Sequence, residues 1–249
     1  MYVDSYCERT APGLWNEPAN AVSNLAFLVA AAVLIGLMGA DRRGAPRSVW
    51  LLPVLLAVVG VCSLSFHTFA TTATAALDTL SILAFILTAV VVLVHWMWRV
   101  RWRWAWPAAP AYLVAAVGVN AALLFAGGER ATVGGYLPAL LGLVGFGVAI
   151  RYTAPPAAAG AGRRLLLAGA IFAVSLTLRT LDGPLCGGFH LGTHFLWHVL
   201  NATVLFLVGL AVLRRWQDLG SGTVVEGVAE ADGEDEQPVG GVLDRDDEQ

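Results

Sequence analysis

His194 and His198 stand four residues apart in the stretch from Gly192 to His198, just inside a long apolar run. On a helix that spacing puts both imidazoles on one face, one turn apart. Ionisable side chains at membrane depth are costly and mark functional sites by default, and two histidines on one turn make half of a metal site. The other half has candidates elsewhere in the chain. Ser63 and His67, again four residues apart, close one apolar run, and Asp78 opens the next. Three neutral imidazoles with an open position form a catalytic zinc arrangement, in which bound water loses its proton near neutral pH. A carboxylate nearby can carry that proton to a leaving group, and a hydroxyl can donate to a developing oxyanion. His67, His194 and His198 suit the metal, Asp78 the proton transfer and Ser63 the oxyanion.

Each residue also has a plainer role. His67 at a helix end can be interfacial, and Asp78 can be an acid complementing a helix N-terminus. Ser63 can back-bond to helix carbonyls, and the pair His194/His198 can be interhelical glue. His190 is a rival ligand, also four residues before His194, but Gly187, Gly188 and Gly192 place it in a loop and make Thr193 the helix start.

The framework carrying these residues is set by composition. Of 249 residues, 57% are hydrophobic and 13% charged, with mean hydropathy +0.69. A soluble domain holds about 45–50% apolar and about 25% charged residues, so the chain reads as an all-α polytopic membrane protein. Asp4 and Glu8, with no basic residue before them, argue against a cleavable signal. Apolar runs of spanning length fall at 19–39, 48–67, 75–97, 105–126, 134–151, 164–181 and 193–213, the fifth and sixth being the shortest. No repeat recurs along the chain. Arginine is the only basic side chain besides histidine. Arg42, Arg43, Arg47, Arg99, Arg101, Arg103, Arg151, Arg163, Arg164, Arg214 and Arg215 come after the odd-numbered runs; Arg9, Arg130 and Arg179 lie on the other side. The positive-inside rule then sets the N-terminus outside and the C-terminus in the cytoplasm, which requires an odd number of spans, seven. The stretch Trp96–Trp106, with His95, reads as an aromatic belt at the inner interface. Residues 1–218 form the membrane domain. Residues 219–249, rich in Gly, Asp and Glu and without aromatics, are expected to be a disordered cytoplasmic tail. On this topology Ser63, His67, Asp78, His194 and His198 reach a similar depth near the outer face.

The set Ser63, His67, Asp78, His194 and His198 resembles the motif set of the alkaline ceramidase family. Tyr6-Cys7-Glu8 and the stretch from Glu17 to Asn24 add to the likeness, which covers residues from about 4 to 201. The wider superfamily contains adiponectin-receptor and haemolysin III-like proteins with a similar set. The resemblance implies a zinc-dependent hydrolase that cleaves the amide of ceramide to a long-chain base and a fatty acid. Zinc would sit on His67, His194 and His198, with Asp78 in proton transfer and Ser63 at the oxyanion. It also implies a calcium site in the N-terminal segment, for which Asp4, Glu8 and Glu17 are the hard oxygen donors. The pattern departs there: an extra residue follows Asp4, and Thr10 stands where an asparagine is expected. The plainer reading has Glu17 and Pro18 opening the first helix and Glu8 solvated.

Asn16, Asn20 and Asn24, with Ser23 beside them, are expected as polar glue or as a supporting shell around the site. Cys7 and Cys186 both fall on the outer side, where an oxidising exterior permits a disulfide; Cys62 is expected as an inert buried thiol. The expected partner is a membrane lipid rather than nucleic acid, and the expected location the plasma membrane. A non-hydrolytic receptor or scaffold with a structural zinc is the alternative. A transporter fits less well, since neither a midplane site nor an internal repeat is present.

Overall fold

The computed structural model describes residues 1–41, 44–128 and 135–234, with side chains to residue 220. Arg42, Arg43, Arg130 and residues 235–249 lie outside the described residues. Among the described residues the regular structure is helical, apart from an isolated bridge between Tyr2 and Thr71. Six stretches are long and apolar enough to cross a bilayer: Pro18–Gly39, Arg47–Phe69, Thr72–Trp98, Trp102–Gly127, Pro156–Leu185 and His194–Gly220. Leu137–Thr153 is apolar but shorter, at 17 residues. At about 1.5 Å per residue it reaches about 25 Å, just under the roughly 30 Å of a bilayer's hydrocarbon core. The protein is an all-helical integral membrane protein, and its apolar runs fall where hydropathy located them.

The first span is two helices, α1 (Pro18–Ser23) and α2 (Leu25–Gly39), which meet at Asn24. α3 (Arg47–Phe69) and α4 (Thr72–Trp98) come next. The short α5 (Trp102–Ala105) leads into α6 (Ala108–Gly127) and then α7 (Leu137–Thr153). α8 (Ala159–Leu185) is 27 residues long, well beyond the expected 164–181. Its added first turn is built from small residues that press into α7: a Cβ on Gly162 would come within 2.9 Å of the Gly147 carbonyl. Close backbone approach of this kind is how membrane helices associate where lipid offers no hydrophobic driving force.

α9 (His194–Glu234) is the hub, packed against α1, α2, α3, α4 and α8. Its contacts with α2, α3 and α4 build the main core, including Phe27, Leu34, Leu52, Leu56, Phe85 and Leu205. α9 also runs through 219, where the acidic tail was expected to begin, and continues to Glu234. No proline interrupts it there, although Gly220, Gly222, Gly227 and Gly233 are poor helix formers that give no local reason for the continuation. α6, by contrast, buries no residue, and Val114, Val117 and Phe125 on it face outward. Such apolar outer surface suits lipid, not water.

The α3–α4 connection decides where His67 and Asp78 stand relative to each other. α3 ends at Ala70 in the left-handed conformation, and Thr71 immediately caps α4 in a reciprocal capping box with Thr74. A two-residue turn therefore sets the last turns of α3 beside the first turns of α4. The N-terminal segment lies over this turn: Val3 N–H donates to Ala70 O at 2.8 Å and Thr72 N–H to Met1 O at 3.0 Å.

Candidate metal centre

α3 supplies His67 and α9 supplies His194 and His198, all buried to 1–2% exposure. Their candidate ligand atoms lie within 4.8 Å of one another, with ring centroids 4.6 to 5.3 Å apart. Two of the rings are anchored. His67 Nδ1 lies 2.5 Å from Glu17 Oε2; a carboxylate only accepts, so Nδ1–H donates and Nε2 keeps its lone pair. The Ser23 hydroxyl donates to Asn20 O at 2.8 Å and so accepts from His198 Nδ1–H at 2.7 Å, again freeing Nε2. Partners of this kind fix a histidine's tautomer and orientation and raise its basicity toward a metal. His194 has no such anchor. Its Nδ1 is buried without a hydrogen-bond partner, while its ring stacks on Tyr6 at 3.7 Å. Three buried imidazoles, two in a fixed tautomer and one with an orphaned nitrogen, are a donor set that fits a divalent metal.

Asp78, one and a half turns into α4, takes the Ser63 hydroxyl as a hydrogen-bond partner and lies near His67 and Arg179. Its Oδ1 is buried and makes no hydrogen bond. Ser63 itself is buried, one turn below His67. The five residues grouped from the sequence therefore meet at one end of the bundle.

The N-terminal segment closes this end. Glu8 caps α1, accepting from Ala19 N–H at 2.6 Å and Asn20 N–H at 2.8 Å. Glu17 accepts from His67, from Asn20 Nδ2 at 3.1 Å and from Arg9 Nε. Burial alone would raise the Glu17 carboxyl, but the hydrogen bonds it accepts from His67, Arg9 and Asn20 outweigh it and hold the group below the usual carboxylate range. Asp4 is exposed. The oxygens expected to hold calcium are thus committed to N–H donors or turned outward. Among the described residues the three histidines are the group of His, Cys, Asp or Glu gathered closely enough for a metal. The donors Asp4, Glu8 and Glu17 do not fit a calcium ion.

Cys7 and Cys186 are joined, with Cα atoms 5.4 Å apart, tying the N-terminal segment to the loop before α9. Asp182, on α8, secures the same junction. It accepts from Cys7 N–H at 3.0 Å, Thr193 N–H at 2.7 Å and His194 N–H at 2.9 Å. A carboxylate satisfying the first free N–H groups of a helix also complements its dipole. Gly192 permits this closeness: its φ is +67°, and a Cβ there would collide with Asp182 Oδ1. His190 sits exposed in the preceding turn, away from the cage.

Sequence reasoning assigned no role at the site to Asp182, Arg9, Tyr6 or Arg179. Tyr6, which lies over His194, is pushed well above its ordinary pKa by burial and stays a neutral phenol. Arg179 lies over the rings of Tyr136 and Trp197, at 5.0 and 5.6 Å. Arg179 and Asp182 carried one available signal, charge at the end of an apolar run. Asn20 and Ser23 do form a shell around the histidines, but Asn16 precedes α1 instead of lying on it. Cys62 is a half-buried free thiol. An apolar cavity between α4, α6, α7, α8 and α9 begins at Tyr136 and Asn201, next to this end, and runs past Phe85 and Phe172 to Val208.

At the opposite end of the bundle, Arg215 Nε donates to Trp96 O at 3.3 Å, and Trp98 Nε1 to Thr153 Oγ1 at 2.9 Å. Arg47, Arg99, Arg101, Arg103, Arg151, Arg163, Arg164, Arg214 and Arg215 belong to that end. No family model matches the chain, and no curated protein matches it either.

Proposed function

We propose that the protein is a zinc-dependent hydrolase that cleaves the amide bond of a ceramide-like lipid within the membrane, releasing a long-chain base and a fatty acid. The observation that carries this reading is the cage itself: His67, His194 and His198 converge within 4.8 Å, beside a carboxylate whose Oδ1 is buried without a partner. The motif resemblance to alkaline ceramidases points the same way. Bound zinc would supply a Lewis acid and bring a water's pKa down toward neutrality. Asp78 accepts the proton of the attacking water and returns it to the departing amine nitrogen, so the amine leaves neutral. Once Asp78 carries that proton it no longer needs the Ser63 hydroxyl, which is then free to donate to the oxygen on which charge develops. Glu17 and Ser23 keep the Nδ1 atoms of His67 and His198 protonated and their Nε2 atoms available.

A lipid substrate suits the surroundings. The apolar cavity starting at Tyr136 and Asn201 gives an alkyl chain a place below the cage, and the lipid-facing helices allow entry from the side. The gathering of arginine at the far end supports a seven-span topology with the N-terminus outside, the C-terminus in the cytoplasm and the cage near the outer face of the membrane, for which the plasma membrane is the proposed location. The Cys7–Cys186 bond fits an oxidising exterior.

Purified protein in detergent is expected to hold about one zinc per chain and to cleave members of a panel of lipid amides. Zinc without any amide cleavage would leave a structural zinc in a receptor or scaffold; an absence of bound metal would remove the centre altogether.

A further inference from the structure

We propose that Arg9 is the resident cation of the N-terminal segment, occupying the place a calcium ion would otherwise fill, and that through Glu17 it is a positioning residue for the metal ligand His67. This inference rests on the three-histidine metal centre. The Arg9 side chain is fully buried, as is nearly all of Glu17. Its guanidinium reaches three acceptors on two stretches of chain: Nε donates to Glu17 Oε1, Nη1 to Gly13 O at 3.2 Å and Nη2 to His67 O at 2.8 Å. Arg9 therefore holds His67 twice, directly at its backbone carbonyl and indirectly at its ring, since Glu17 presents its other oxygen to His67 Nδ1. A planar fork with fixed donor directions suits such a junction, where an ammonium would reach fewer partners.

The oxygens around Arg9 explain why calcium has no place there. Calcium takes six to eight oxygen ligands. Glu17 Oε1, Gly13 O and His67 O already face N–H donors, and both Glu8 oxygens accept from the first turns of α1. A guanidinium keeps its charge at any physiological pH and is never diluted away. The clamp on His67 is therefore permanent, and the metal centre keeps its geometry whatever the free calcium level.

The test uses full-length wild type and the variants Arg9→Gln and Arg9→Lys in detergent, each checked for monodispersity and helix content. Zinc affinity is measured by competition with a chromophoric chelator, and partial rescue by Arg9→Lys separates loss of the clamp from general loosening. Arg9→Gln is expected to weaken zinc binding about 10- to 100-fold, the range for loss of a partner that orients a ligand. Arg9→Lys is expected to recover part of that loss. Calcium, or a calcium-selective chelator, is expected to leave wild-type zinc affinity and thermal unfolding unchanged. A folded Arg9→Gln protein with wild-type zinc affinity overturns the proposal, as does Arg9→Lys no better than Arg9→Gln. So does calcium that tightens zinc binding or raises the unfolding temperature of the wild type, an outcome readable even if the variants do not fold. Wild type that binds no zinc overturns the metal centre and this inference together; wild type that binds zinc beside an unaffected Arg9→Gln overturns this inference alone.

Discussion

His67 and His95 occupy matching places in neighbouring helices. His67 stands two residues before the end of α3, and His95 three before the end of α4. Their surroundings differ in what arrives from elsewhere in the chain. His95 is only half-buried; its ring stacks on Trp102 at 3.7 Å, and its Nδ1 lies 2.7 Å from Val100 O, five residues away. Every one of these partners is local. His67 is fully buried and meets Tyr6, Arg9, Glu17, His194 and His198, contributed by the N-terminal segment and by α9. A histidine at a helix end is an interfacial anchor when its partners are sequence neighbours. It becomes a candidate ligand when distant segments bring further donors to it.

The largest effect expected from breaking this contrast is at the cage. His198→Ala should lose bound zinc, measured by elemental mass spectrometry, and with it all detectable amide hydrolysis. Retention of full zinc would falsify the three-histidine assignment. Asp78→Ala should lower turnover about 10²- to 10⁴-fold, the span of general acid–base catalysis, with zinc content unchanged; turnover at the wild-type rate would take Asp78 out of the mechanism. Ser23→Ala removes the partner of His198 Nδ1, along with the hydroxyl's bond to Asn20 O, and should weaken zinc binding roughly 10-fold, read by chelator competition. Gly192→Ala should cost about 1–2 kcal/mol from its positive φ alone, and more as Asp182 is pushed from the start of α9; thermal unfolding checks this. His95→Ala should leave zinc and hydrolysis untouched and shift stability by about 1 kcal/mol at most. A loss of zinc there would erase the distinction between the two ends.

The apolar runs were legible because a bilayer imposes length and composition directly on sequence. The five-residue cluster was legible because the helix period and the arginine distribution together give each side chain a face and a depth. What surrounds the cluster was not. The acidic residues near the N-terminus looked like hard-oxygen ligands, and nothing in their types or spacing says that a guanidinium from Arg9 sits among them. Asp182 looked like a stray charge at a helix end. Its three acceptor bonds to Cys7, Thr193 and His194 exist only because α8, the N-terminal segment and the start of α9 meet there.

By itself, then, the amino-acid order determined that the chain is helical and apolar, which turns face inward, and which histidines share a depth, since periodicity and transfer energy act along a single helix. The tertiary structure decided which nitrogen of His67 and His198 is free, that Glu17 serves a histidine instead of a calcium ion, and that His190 stays outside the cage. Those outcomes depend on hydrogen bonds between segments as far apart as Cys7 and Asp182, and such bonds leave no periodic trace in the sequence.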